Sequence, residues 1–192
     1  WSEGAFIPRS GRPNPYDLPE PEFSETRWQG LRHTLHYPIH SITGVVLPYH
    51  PMKNTIEASS QNPFRQALQK LLGRFVFGET TFDSYLDSLG LVPYPKDSRD
   101  SQIPQPLQPD LERRMGFTPL KRYGAKGFTM SCAACHSANL FGKAVLGLSN
   151  RFPRANEFFV QGAQAMHMTS PAMFRWATDA SPSELDIFRE AR

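Results

Sequence analysis

Across 192 residues the chain holds only two cysteines, Cys132 and Cys135. A disulfide-stapled scaffold needs several pairs, so that class is excluded. No apolar run approaches the roughly 20 residues that carry a helix across a bilayer, and no transmembrane segment is expected. The formal net charge is only +3, from 21 basic and 18 acidic residues. Nucleic-acid binding calls for a far stronger basic field, so that partner class is set aside. Internal repeats and low-complexity tracts are absent as well. The chain begins at Trp1 with no charged-then-apolar leader, which is the expectation for a mature, processed protein.

What is plentiful is proline, 18 in all and unevenly placed. Eight fall within residues 1–60: Pro8, Pro13, Pro15, Pro19, Pro21, Pro38, Pro48 and Pro51. That density argues against long helices and for extended or polyproline segments. The same stretch carries Trp1, Phe6, Tyr16, Phe23, Trp28, Tyr37 and Tyr49, and aromatics at that frequency pack on something. The expectation is a wrapping arm. Two helices follow over 61–90. Asn62 caps the first, with Pro63 at its opening position and Phe64, Ala67, Leu68, Leu71 and Leu72 on the helical period up to Gly73. Thr81 caps the second, whose Phe82, Tyr85, Leu86 and Leu89 form one face before Gly90. Residues 91–109, with five prolines among polar residues, read as a linker.

From residue 110 onward the pattern suggests a helical unit. Thr118-Pro119 has the form of a helix start. Asn156 is a candidate cap for a helix over 157–166, and Ser170-Pro171 opens another. Ser181-Pro182-Ser183-Glu184 is a capping box leading into Leu185, Ile187, Phe188 and Ala191.

Both cysteines lie in Cys132-Ala133-Ala134-Cys135-His136, the C-x-x-C-H signature of covalent haem c. On a helix, positions i, i+3 and i+4 share one face. Two thiols can then add to the two vinyl groups of one porphyrin, with His136 as the proximal iron ligand. A disulfide across so tight a loop leaves His136 without a role. A thioredoxin-like dithiol belongs in a βαβ setting, and zinc needs a further Cys or His pair at finger spacing. Haem c is attached outside the cytoplasm, so a periplasmic or otherwise exported location is expected.

Gly124, Phe128 and Cys132 recur at intervals of four and fall on one stripe if a helix runs into the motif. This G-x-x-x-F-x-x-x-C-x-x-C-H pattern resembles the first helix of class I cytochromes c, over about residues 118–192. The resemblance implies a small Gly124 crossed by the C-terminal helix and an aromatic Phe128 beneath the haem edge. It implies a mainly α fold: a class I cytochrome c-like helical haem domain at 110–192, preceded by the proline-rich, mostly irregular arm, the two short helices and the linker. The family's proline soon after the motif is missing here, which leaves the support of His136 unassigned.

The candidate sixth ligands are Met173, Met168, Met166 and His167, which lie 37, 32, 30 and 31 residues beyond His136 by subtraction. A methionine sulfur would raise the reduction potential and a second histidine would lower it. Met also fills core gaps, and the histidines of the arm (His33, His36, His40 and His50) fit surface roles.

Between Arg113 and Asn156 stand eight basic residues and no acidic one. Of these, Lys121, Lys126, Lys143, Arg151 and Arg154 are candidates for a positive collar that steers an acidic redox partner. Three functions fit: a monohaem electron carrier, an electron-transfer subunit of a larger redox complex, or a haem enzyme or gas sensor with an open distal site.

Overall fold

Two aromatic–glycine pairs set the architecture of the middle of the chain. Tyr123 and Gly124 have φ of +51° and +82°, and Phe141 and Gly142 have φ of +51° and +85°. Two consecutive left-handed residues make a type I′ turn, whose twist matches antiparallel strands. The first turn joins β2 (Phe117–Arg122) to β3 (Ala125–Met130), and the second joins β4 (Ser137–Leu140) to β5 (Lys143–Leu146). A short β1 (Leu47–Pro48) pairs with β3 in the register Leu47↔Phe128, giving the sheet order β1-β3-β2. Strand β2 is therefore an edge, where the missing N–H of Pro119 costs nothing. The computed structural model that shows this describes residues 15–39, 44–96, 103–111, 114–151 and 153–192.

Helices surround the three-stranded sheet: α1 (Glu22–His36), α2 (Tyr49–Glu57), α3 (Pro63–Leu72), α4 (Phe82–Ser88), α5 (Ala155–Met168), α6 (Pro171–Thr178) and α7 (Pro182–Ala191). Their starts follow local chemistry. The Asn62 side chain accepts from the N–H groups of Phe64 and Arg65, and Thr81 and Ser84 form a reciprocal capping box. Ser170 accepts from the Met173 N–H, and Ser181 with Glu184 forms a second capping box. Each satisfies an N–H that the first helical turn leaves without a partner. Helix α3 runs on through a π turn (Gly73–Phe77) and stops at the left-handed Gly78.

Phe128 is the hub of the core. It is fully buried, and its ring lies 4.8 Å from Phe117, 5.8 Å from both Phe82 and Phe158, and 6.2 Å from Tyr49, measured between centroids. The pairs with Phe82 and Tyr49 meet edge to face, the arrangement that ring quadrupoles favour. Helix α7 crosses the sheet beside Gly127. A Cβ on that glycine would lie 2.7 Å from Val46 Cγ1 and 3.5 Å from Ile187 Cδ1. An ion pair between Arg122 and Glu190 fastens the hairpin to the same helix.

The fold is thus an α/β mix, which corrects the expectation of a mainly α, class I cytochrome c-like fold. No helix leads into the motif: residues 117–130 form the β2–β3 hairpin, Thr118-Pro119 lies within β2, and the chain after His136 enters β4. A spacing of four satisfies a strand as well as a helix, and the I′ turn decides between them. Phe128 consequently fills the core rather than lying against a haem edge. The C-terminal helix does reach Gly124, where a Cβ would lie 4.0 Å from Ser183 Oγ.

The arm also differs from the extended reading. Its prolines flank α1 rather than interrupt it, and the 15 residues of Glu22–His36 contain none. Helix α2 and β1 add further regular structure from the same third of the chain. Helix α5 is preceded by Arg154 at the N-cap rather than Asn156. Trp1, Phe6, His40, residues 97–102 of the linker and Arg113 lie outside the described residues.

Candidate functional site

The motif occupies the joint between the two hairpins. Strand β3 ends at Met130, Ser131 follows in extended conformation, and Cys132–Ala134 form one 3-10 turn. The turn closes on itself: the N–H groups of Cys135 and His136 donate to Cys132 O at 3.2 and 3.0 Å, and that of Ala134 donates to Ser131 O at 3.1 Å. The Ser131 hydroxyl donates to Leu35 O at 2.7 Å, which ties the turn to the end of α1.

Side chains divide sharply across this turn. Ala133 and Ala134 are buried, while Cys132, Cys135 and His136 are exposed. Ala133 joins Leu35, Ile103 and Met115 in a small second core, and Ala134 packs with the main one. The fit is tight enough to require Gly116: a Cβ there would lie 2.3 Å from Ala134 N, and its φ is +89°. Small inward residues let the turn lie flat on the fold, and that turns both sulfurs and the imidazole outward together.

Both thiols are free. Partial burial pushes the Cys135 thiol above its ordinary range, and the nearby Cys132 pushes it further. Addition of a thiol to a vinyl group would bond sulfur to one carbon and hydrogen to the other, with no net electron transfer. Among the described residues, no three His, Cys, Asp or Glu groups converge as ligands of a single ion. Zinc requires that convergence. Covalent haem does not, since only the imidazole approaches iron while the sulfurs bond carbon. On this chemistry Cys132, Cys135 and His136 fit haem c.

A loop beyond β5 supports the turn. The Gly147 N–H donates to His136 O at 2.7 Å and the Asn150 N–H to Cys135 O at 2.9 Å. The Asn150 side chain donates to Gly90 O at 2.8 Å. Sequence reasoning missed Gly116, Ser131 and Asn150, because each acts on backbone atoms distant in the sequence that only the fold brings close.

The candidate sixth ligands lie in α5 and α6. Met166 is buried and Met173 is exposed, and both line an apolar cavity of about 300 Å³ with Leu47, Met52, Phe174 and Phe188. Cys132, Cys135 and His136 are not among the residues lining it. His167 is exposed in the last turn of α5, and Met168 closes that helix with its side chain outside the described residues. Of the candidate collar, Lys121 and Lys126 face each other across β2 and β3 near the first turn. A strand rise of about 3.4 Å per residue puts Lys126 about 14 Å from Met130, at the far end from the motif. Lys143 opens β5, while Arg151 and Arg154 are exposed beside the supporting loop. Arg114 forms a two-pronged pair with Asp87, at 2.7 and 3.1 Å.

Among the described residues, no helix is long and apolar enough to cross a membrane. No family model, no curated protein and no solved structure matches this chain.

Proposed function

We propose that this chain binds one haem c covalently through Cys132 and Cys135, with His136 as an iron ligand, and works in electron transfer outside the cytoplasm. The observation that carries the reading is the division of the turn: Cys132, Cys135 and His136 are exposed, and the two alanines between the cysteines are buried. When bound, haem supplies a one-electron iron couple. The chain's own residues hold and orient it. The thioethers of Cys132 and Cys135 fix the ring to the end of β3, and the rigid sheet behind them limits reorganisation as charge changes. A partner that docks briefly at Arg151 and Arg154 would meet exposed basic residues just beyond the loop that bonds Cys135 O. An acidic redox protein, or a larger redox complex that includes one, fits that surface.

Optical spectra in both oxidation states test the role. Low-spin, six-coordinate iron in each state is expected for a carrier. High-spin, five-coordinate iron would turn the assignment to a haem enzyme or gas sensor. Reversing Arg151 and Arg154 to Glu should slow second-order electron transfer to an acidic partner and leave the potential nearly unchanged. Reversing Lys121 and Lys126 should do less, because they lie at the distant end of the hairpin.

A further inference from the structure

We infer that Asn150 is the positioning residue of the attachment turn, holding His136 and the two sulfurs in the register that a rigid macrocycle demands; this rests on the covalent-haem reading above. The internal bonds of the turn all return to Ser131 O and Cys132 O. They close the turn without anchoring its exit, where Cys135 and His136 lie. Asn150 supplies that anchor from two directions. Its backbone N–H meets Cys135 O at 2.9 Å, while its side-chain amide donates to Gly90 O at 2.8 Å and lies 3.5 Å from Ala134 O.

Gly90 is no arbitrary acceptor. It follows α4 in a left-handed conformation, φ +74°, just after Phe82, Tyr85, Leu86 and Leu89, all deeply buried in the main core. One residue thus links the end of a helix buried in the main core to the backbone of Cys-Ala-Ala-Cys-His. The Gly147 N–H bond to His136 O holds the other end of the same loop. No other residue type reproduces this pattern at the same length. Ala and Asp lack the side-chain donors, and Ser is a bond too short to span them.

The two vinyl carbons and the iron of a porphyrin stand at fixed separations. A turn with a loose exit would spread the imidazole over positions, few of which meet iron while both sulfurs are bonded. Outer groups that orient a ligating histidine typically change metal affinity by about tenfold or more.

The test uses full-length protein matured with a haem-attachment system. Asn150→Ala, the near-isosteric Asn150→Asp, and Asp87→Asn as a control are compared by acid titration of the Soret band. Asp87→Asn weakens the strap to Arg114 without touching the motif. Expected is that both Asn150 variants lose the His136–iron bond at a pH about one unit higher than wild type. One proton competes with iron for the imidazole, so one unit corresponds to about tenfold weaker ligation. The control should keep the wild-type titration even where its melting temperature falls. Failure of both Asn150 variants to attach haem, with the control attaching it, would support the same role. Wild-type titration in both variants, whatever their melting temperatures, would overturn it. Wild-type protein without covalent haem would overturn the underlying reading, and this inference with it.

Discussion

The two hairpins share one plan and differ in almost everything that surrounds them. Each has an aromatic–glycine I′ turn with both φ values positive. Strand β3 of the first is flanked by β1 and β2 and crossed by α7, and its Phe128 is 0 % exposed. The second is a two-stranded sheet, and its turn residue Phe141 is 98 % exposed. Two strands alone are marginal in water. The first hairpin is therefore scaffold, while the second leans on the small second core through Ala144 and Leu146 of β5. The Cys-Ala-Ala-Cys-His motif lies where one passes into the other. That position gives it a firm base at Met130 and leaves Cys132, Cys135 and His136 exposed.

The contrast can be broken most forcefully at its firm end. Phe128→Ala removes the ring at the centre of the aromatic cluster and should cost about 4 kcal/mol of stability, as large buried truncations do. Denaturant unfolding would measure it, and a loss under 1 kcal/mol would mean that Phe128 is not the hub. Gly116→Ala comes next. The added methyl meets the backbone of Ala134 at a glycine of φ +89°, so either the start of β2 or the motif turn must shift. The expected loss is about 3 kcal/mol, accompanied by poorer haem attachment. Unchanged attachment would show that the turn does not rest on Gly116. At the soft end, Phe141→Ser should alter stability by no more than about 0.5 kcal/mol, since the ring touches almost nothing. A larger loss would mean that the Phe141 ring is packed after all.

Legibility in the sequence followed the range of the interaction that decides each element. Asn62, Thr81, Ser170 and Ser181 were readable as caps because each bonds an N–H two or three positions onward. Residues 117–140 misled, because Gly124, Phe128 and Cys132 at intervals of four line one side of a strand as readily as one face of a helix. The discriminating signal was Tyr123-Gly124 and Phe141-Gly142, less familiar hairpin turns than Asn-Gly but with the glycine in the required place. Counting prolines also misled in the arm, where the proline-free interval from Glu22 to His36 mattered more than the total. At the candidate site, Cys132, Cys135 and His136 could be singled out because they are neighbours in the chain. Their support was not. Gly90, Gly116 and Asn150 come from three separate stretches that only the folded chain brings to the turn.

The most direct test of the central claim is the intact mass of denatured protein matured with a haem-attachment system, followed by peptide mapping. The account predicts the polypeptide mass plus one haem, on a single peptide modified at both Cys132 and Cys135, and loss of that mass when both are replaced by Ser. Protein that emerges folded, at the bare polypeptide mass and with both thiols free, would contradict it.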